Sequence, residues 1–331
     1  MRDEKIIAVV GATGEQGGGL ARAILADSAS EFTVRALTRD VRSSKARELA
    51  ALGAHVVAAN IDDPASMRRA FDGAYGAFCV TFYWAHLSPE REQRNARTMA
   101  EAAKAAALRH VIWSTLEDTR RWILPNDERM PILKGEYRVP HADSKGASDH
   151  YFSDLGLPVT FLLTSFYWDS LYMFDIGPKP RSDGTLVFVL NMGNERLPAI
   201  AAEDIGKVAY TIFKRGCEFV GKTVGIAGEH LTGTEMAESM SAAFGRPVRY
   251  EAISSDAYRR LDIPGADHLG SMFQFIHDFE PIVAGARDVA ATRALDPELQ
   301  TFEQWLARNK EKIPLHENDS ARAVGSSHGT S

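Results

Sequence analysis

The residues of this chain best suited to chemistry fall in two groups. The first is Gly11-Ala12-Thr13-Gly14-Glu15-Gln16-Gly17, a G-x-x-G-x-x-G run. The second is His141-Ala142-Asp143-Ser144-Lys145. There the i, i+4 spacing of His141 and Lys145 places both on one helix face, with Pro140 where a first helical residue belongs. The glycine run follows an apolar stretch, Ile6–Val10, and opens a segment with Leu20, Ala23 and Ile24 at helical spacing. In a strand–turn–helix, glycines let the backbone approach a pyrophosphate, and the helix N-terminus supplies amides and positive dipole. The reading is a dinucleotide site formed by Gly11, Thr13, Gly14, Glu15, Gln16 and Gly17, with a plain glycine turn as the alternative. Gly17-Gly18-Gly19 costs a helix about 1 kcal/mol per glycine against alanine, which close approach of a ligand would explain.

The end of the second strand decides between cofactors. An acid there holds the ribose 2′-OH of NAD, and an arginine accommodates the 2′-phosphate of NADP. The chain reads Leu37-Thr38-Arg39-Asp40, with Arg42 and Lys45 following. A guanidinium grips phosphate in bidentate fashion, so Arg39, with Lys45, points to NADP(H). The alternative leaves Arg39 solvated and Asp40 on an NAD ribose.

These groups need a scaffold. Apolar runs at Ile6–Val10, Phe32–Leu37, His55–Ala59, Tyr75–Val80, His110–Trp113 and Pro158–Leu163 read as strands. Helical patterns alternate with them: Ser43–Leu52, one opened by Asp63-Pro64, and Pro89–Ala106. That alternation predicts an α/β fold, a Rossmann-type doubly wound parallel sheet with a smaller C-terminal α+β lobe. Residues 1–165 form the NADP(H)-binding domain, with 196–227 rejoining it through a strand at Thr223–Ile226. Residues 166–195 and 228–314 form a substrate or partner lobe over the carboxyl ends of the strands. It carries a strand at Leu186–Leu190 and helices at Thr234–Phe244 and Glu298–Lys310, and Glu203–Lys214 is a further helix. The tail 315–331 has almost no apolar content and is expected to be disordered.

At this point the sequence resembles the NmrA-like family of atypical short-chain dehydrogenase/reductases, closest to its NADPH-sensing branch. The likeness rests on Gly11–Gly18, Thr38-Arg39, Asn60-Ile61-Asp62-Asp63, Thr81-Phe82-Tyr83-Trp84, Ser114-Thr115-Leu116-Glu117 and His141–Lys145. It implies NADP(H) in a cleft, with some relatives acting as reductases and others reporting redox state to a partner protein. By resemblance, Asp62, Asp63, Thr81, Phe82, Tyr83, Ser165 and Tyr167 join the cofactor site. Sensing relatives often carry Asn where Phe82 stands, which removes a hydrogen bond here. Short-chain dehydrogenases use Tyr-x-x-x-Lys and a Ser after the fifth strand. Lys145 keeps the ribose position and Ser114 the serine, but the acid position holds His141. An imidazolium can donate a proton, although a neighbouring ammonium favours its neutral form. The candidate catalytic residues are therefore His141, Lys145 and Ser114. The plainer alternatives are a polar wall residue for His141, a strand-end cap for Ser114 and lobe packing for the aromatics. Tyr137 precedes Pro140 and could serve only if its loop folds inward. Arg94 and Arg97, on the long helix, either reach the cofactor or form a solvated face.

Other classes are excluded or disfavoured. Among 331 residues, 45% hydrophobic and 25% charged, no apolar run reaches bilayer length, so the chain is a globular protein rather than a membrane or disordered one. The net charge of −6 gives no general attraction to nucleic acid. Cys79 and Cys217 cannot form a disulfide framework, and the N-terminus lacks a signal-peptide layout, so a cytoplasmic setting is expected. The ten histidines offer no H-x-x-x-H pair, so no metal is expected. No G-x-S-x-G elbow or Walker sequence is present. The preferred function is an NADP(H)-binding redox sensor or regulator with little or no dehydrogenase activity. The alternative is an NADPH-dependent oxidoreductase of a small carbonyl, quinone, enone or imine. A protein partner or homodimer fits the first reading, a small-molecule substrate the second.

Overall fold

The computed structural model describes residues 5–124 and 126–315; the predicted tail lies outside them, apart from residue 315. Six strands appear in the first half: β1 (Lys5–Val9), β2 (Phe32–Thr38), β3 (His55–Ala58), β4 (Gly76–Cys79), β5 (His110–Thr115) and β6 (Val159–Leu163). They pair in parallel in the order β6-β5-β4-β1-β2-β3, and Thr223–Gly225 adds a seventh strand beside β6. This is the Rossmann order, with the direction of winding reversing between β1 and β4. β4 and β5 are buried along their whole length. Helices on both faces of a parallel sheet exclude water from both, which is why these strands read as continuous apolar runs.

The chain separates into two compact units. The first holds the described residues up to Ser165, together with Ile200–Gly228 and Ala286–Leu299. The second holds Phe166–Ala199, Glu229–Gly285 and the described residues from Gln300. Outside the main sheet lie two three-stranded sheets. One is ordered Glu229–Leu231, Leu197–Ile200, Phe166–Tyr167, the other Val248–Ala252, Leu186–Leu190, Lys179–Pro180. Several of these strands are two to four residues long, too short for periodicity to reveal. The last α-helix is Phe302–Asn309, shorter than the expected Glu298–Lys310. A capping box between Thr301 and Gln304 sets its start.

Gly19, after the turn, has a packing explanation that corrects the ligand-based one. Helix α1 (Glu15–Ala26) lies against the helix Ala202–Arg215. A Cβ on Gly19 would come 2.5 Å from the Glu203 carbonyl oxygen, and one on Gly206 would come 2.0 Å from the Leu20 nitrogen. Gly19 is therefore there for backbone-to-backbone helix contact.

At the start of β5, His110 is buried, and its Nε2 donates to the Thr160 hydroxyl at 2.9 Å, since that hydroxyl donates onward to the Phe219 carbonyl. Burial pushes the His110 imidazole down to about 4. The unfolded chain, with its histidine near 6.5, then binds the proton first as pH falls. The stability held above pH 6.5 is lost on the way down to about 4. Between pH 7 and 5 that loss is about 2 kcal/mol. Urea unfolding at the two pH values should show it, and His110→Gln should have a shallower pH slope. Equal slopes would remove His110 as its source.

Candidate functional site

Gly11 has φ of +64°, a left-handed conformation that suits glycine. The Gly14 amide donates to the Gly11 carbonyl at 2.8 Å, closing the turn. Gly14 is the N-cap of α1 and has no side chain to accept from the first-turn amides. A ligand anion is the natural acceptor there. Gly11 and Gly14 are exposed and Thr13 half-buried.

Hydrogen bonds tie this turn to three strand ends. Val10 donates to Phe78 of β4 at 3.0 Å, and Ala12 donates to Leu37 of β2 at 3.3 Å. The Ser114 hydroxyl, at the end of β5, donates to Gln16 Oε1 at 2.9 Å. The turn thus sits at the topological switch point, where ligands bind in open α/β sheets.

At the end of β2, the Asp40 carboxylate accepts from the Arg42 amide at 2.8 Å, and the Ser43 hydroxyl caps the helix Ser44–Ala51. Arg39 beside them is exposed and makes no ion pair among the described residues. Lys45 pairs with Glu15 at 3.2 Å. Asp62 accepts a bidentate grip from Arg91, at 3.1 and 2.6 Å, and Asp63 caps the helix Pro64–Phe71. Arg97 pairs with Glu101 on the solvent face of the long helix, and Arg94 is exposed there.

The helix Pro140–Ala147 begins at Pro140, as its residue type requires. The Lys145 ammonium lies 3.0 Å from Glu92 Oε1, donates to the Thr81 hydroxyl and to the Thr81 carbonyl at 3.3 Å, and sits 5.1 Å above the Trp113 ring. Glu92 is wholly buried in the helix Pro89–Ala105. Burial alone would raise its carboxyl. The Lys145 charge, with the facing His86 ring, the Thr81 hydroxyl and the Lys145 N–H, outweighs burial and holds it well below the carboxylate range. His86 Nδ1 accepts from the Ser88 amide, leaving Nε2 to face Glu92 at 3.4 Å. His141 is buried, with ring centroids 5.2 Å from Trp84 and 6.0 Å from Tyr83. Asp143 fixes the start of the same helix by accepting from Thr119, Arg138 and Val139.

The aromatic motif divides. Phe82 is 56% exposed, whereas Tyr83 is 1% exposed and packs against Trp84 and His86. Tyr137 accepts from Gln93 at 2.7 Å beneath Arg120, so its hydroxyl is engaged on the long helix. The buried Ser165 hydroxyl has no hydrogen-bond partner among the described residues. Tyr167 is half-buried in the strand Phe166–Tyr167 of the second unit.

Sequence reasoning missed Glu92, His86 and Arg287. Glu92 had a readable signal: it occupies the buried stripe of its helix with Asn95, Ala96 and Met99, where a charge demands a partner. Arg287 had none. Its guanidinium forms a buried bidentate pair with Glu117 and donates to the Thr164 carbonyl at 2.9 and 2.6 Å.

The model of the NmrA-like family matches residues 3–306. The chain belongs to this family. One relative is the NAD(P)H azoreductase of Xenophilus azovorans, 30% identical, with 75% of this chain and 77% of the relative covered; another is the NmrA-like family domain-containing oxidoreductase FrzB of Cladobotryum sp, 26% identical, with 82% of this chain and 83% of the relative covered. Among solved structures, Nmra, a negative transcriptional regulator, superposes with a TM-score of 0.74 at 25% identity, covering 92% of this chain and 95% of that one. Nmra in complex with NADP gives 0.73 at 24% identity, covering 98% and 99%. NmrA-like proteins thus include named oxidoreductases and a named regulator. Among the described residues of this member, no group of three or more His, Cys, Asp or Glu side chains could hold a metal, and no helix is long and apolar enough to cross a membrane.

Proposed function

We propose that this NmrA-like protein binds NADP(H) at the Gly11–Gly17 turn and works as a redox-responsive regulator with little or no dehydrogenase turnover. One contrast carries the reading. The glycine turn and Arg39 are presented outward, while the Ser114 hydroxyl and the His141 ring are engaged inside the protein. The turn and the α1 N-terminus would hold the pyrophosphate, Arg39 with Lys45 the 2′-phosphate, and Lys145 the nicotinamide ribose. The orphaned Ser165 hydroxyl is a further polar group awaiting a partner. By contrast, Ser114 donates its hydroxyl proton to Gln16, and His141 is packed between aromatic rings. Arg39, exposed and without an ion-pair partner among the described residues, suits a 2′-phosphate, which favours NADP(H) over NAD(H). The azoreductase is named for NAD(P)H and Nmra was crystallised with NADP, which supports a nicotinamide dinucleotide here. When bound, that group supplies a hydride in its reduced state.

A reductase is the second reading, favoured by the 30% identity to the azoreductase. Fluorescence titration and an NADPH-oxidation panel of quinones, enones and imines test both. Arg39→Ala should weaken NADPH by roughly 10- to 150-fold, the equivalent of a charge-assisted contact of about 1.5–3 kcal/mol, and leave NADH nearly unchanged. Equal losses would place the 2′-phosphate elsewhere. Wild-type turnover above about 1 s⁻¹ would replace the sensor with the reductase.

A further inference from the structure

We infer that Glu92, acting as a positioning residue through Lys145, balances the ammonium charge so that the oxidised state of NADP(H) is not penalised against the reduced one. The inference rests on the NADP(H) reading above and deepens it. Glu92 is 0% exposed, and a carboxylate taken fully out of water persists only where a partner offsets its desolvation. The partner is Lys145, at 3.0 Å, on a different helix. An ammonium has three N–H donors. Those of Lys145 are taken up by Glu92 Oε1, the Thr81 hydroxyl and the Thr81 carbonyl. The ammonium is therefore aimed by its neighbours, and its charge is balanced where it stands.

That balance matters because the two states of the cofactor differ by one charge. The oxidised nicotinamide ring is cationic and the reduced ring is neutral. In the proposed site the nicotinamide ribose lies beside Lys145. An unbalanced ammonium there would repel the oxidised ring and leave the reduced one unaffected. An unbalanced carboxylate would do the opposite. With both present the local charge is zero, so neither state is penalised. Residues that merely hold the fold would change both affinities together. Neutralising Glu92 while Lys145 stays charged should change their ratio.

The test is the ratio of equilibrium dissociation constants for NADP+ and NADPH, measured by titration on the full-length protein. Glu92→Gln should raise the NADP+/NADPH ratio about tenfold, the scale of one unit charge acting at close range in a partly screened site. Lys145→Met removes the charge that keeps Glu92 ionised, so the carboxyl takes up a proton, the site stays neutral and the ratio should stay within about threefold of the wild type. The double variant Glu92→Gln/Lys145→Met replaces the buried pair by neutral groups of similar shape, which buried sites tolerate. Its ratio should return to within about threefold of the wild type. A ratio that rises as far in Lys145→Met as in Glu92→Gln would overturn the inference. So would an unmoved ratio in all three variants with NADPH still bound, leaving the NADP(H) reading intact. Failure of the wild type to bind either state would overturn both.

Discussion

Gly17→Val should abolish binding of NADPH and NADP+ alike, with a loss on the order of 100-fold or more for each. A Cβ at position 17 would lie 2.5 Å from the Gly11 carbonyl oxygen, 2.8 Å from the Gly11 carbonyl carbon and 2.9 Å from the Val10 carbonyl oxygen. All three are backbone atoms at the end of β1, so no side chain can swing aside. The Gly11 carbonyl also accepts the amide of Gly14. Any movement that admits the new side chain therefore opens the turn and re-aims the α1 N-terminus. Overpacking of this kind costs about 1–3 kcal/mol, and more where the neighbours are rigid, and about 3 kcal/mol is 100-fold in affinity. Titration with both nucleotides checks it, and urea unfolding separates loss of the site from loss of the fold. The pattern differs from Arg39→Ala, which should discriminate between NADPH and NADH. Retained NADPH affinity in folded Gly17→Val would put the pyrophosphate elsewhere.

The sheet and the turn were legible because parallel strands covered on both faces must be apolar throughout, and because Gly11 needs a backbone conformation that few other residues adopt. Pro140 likewise marked the true start of its helix, and Thr223–Gly225 joined the sheet beside β6. The state of the acid-chemistry candidates was not legible. Ser114 is bonded to a residue 98 positions away, and Lys145 is paired with one on another helix. Spacing rules describe neighbours along one element, so they located these side chains without revealing their partners. Asp62 and Asp63 show the converse. The resemblance put both at a cofactor site; in this structure one is gripped by Arg91, and the other caps a helix, as its place before Pro64 predicts. Gly19 was over-read for a different reason: a ligand and a neighbouring helix make the same demand for a missing side chain, and only the fold distinguishes them.

Arg287→Met should cost about 3–5 kcal/mol of stability, because it leaves the Glu117 carboxylate in the interior without its counter-charge. Arg287 is 2% exposed and Glu117's side chain 10% exposed, so little water reaches either group. The loss is not confined to one ion pair. The guanidinium also holds the Thr164 carbonyl, directly after β6, while Glu117 follows β5. The single side chain therefore fixes the spacing of two strand exits, one of which leads from Ser114 and the other into Ser165. Glu117→Gln combined with Arg287→Met removes both charges, and most of the stability should return, since buried pairs replaced by neutral groups are often neutral in cost. Urea unfolding of the two variants gives both values. A single-variant loss below about 1 kcal/mol, the range of exposed pairs, would mean that water screens this one after all. If the double variant recovers stability but binds NADPH less tightly than the wild type, Arg287 matters for the alignment of the strand exits as well as for the fold. If it recovers both, the charge pair serves stability alone.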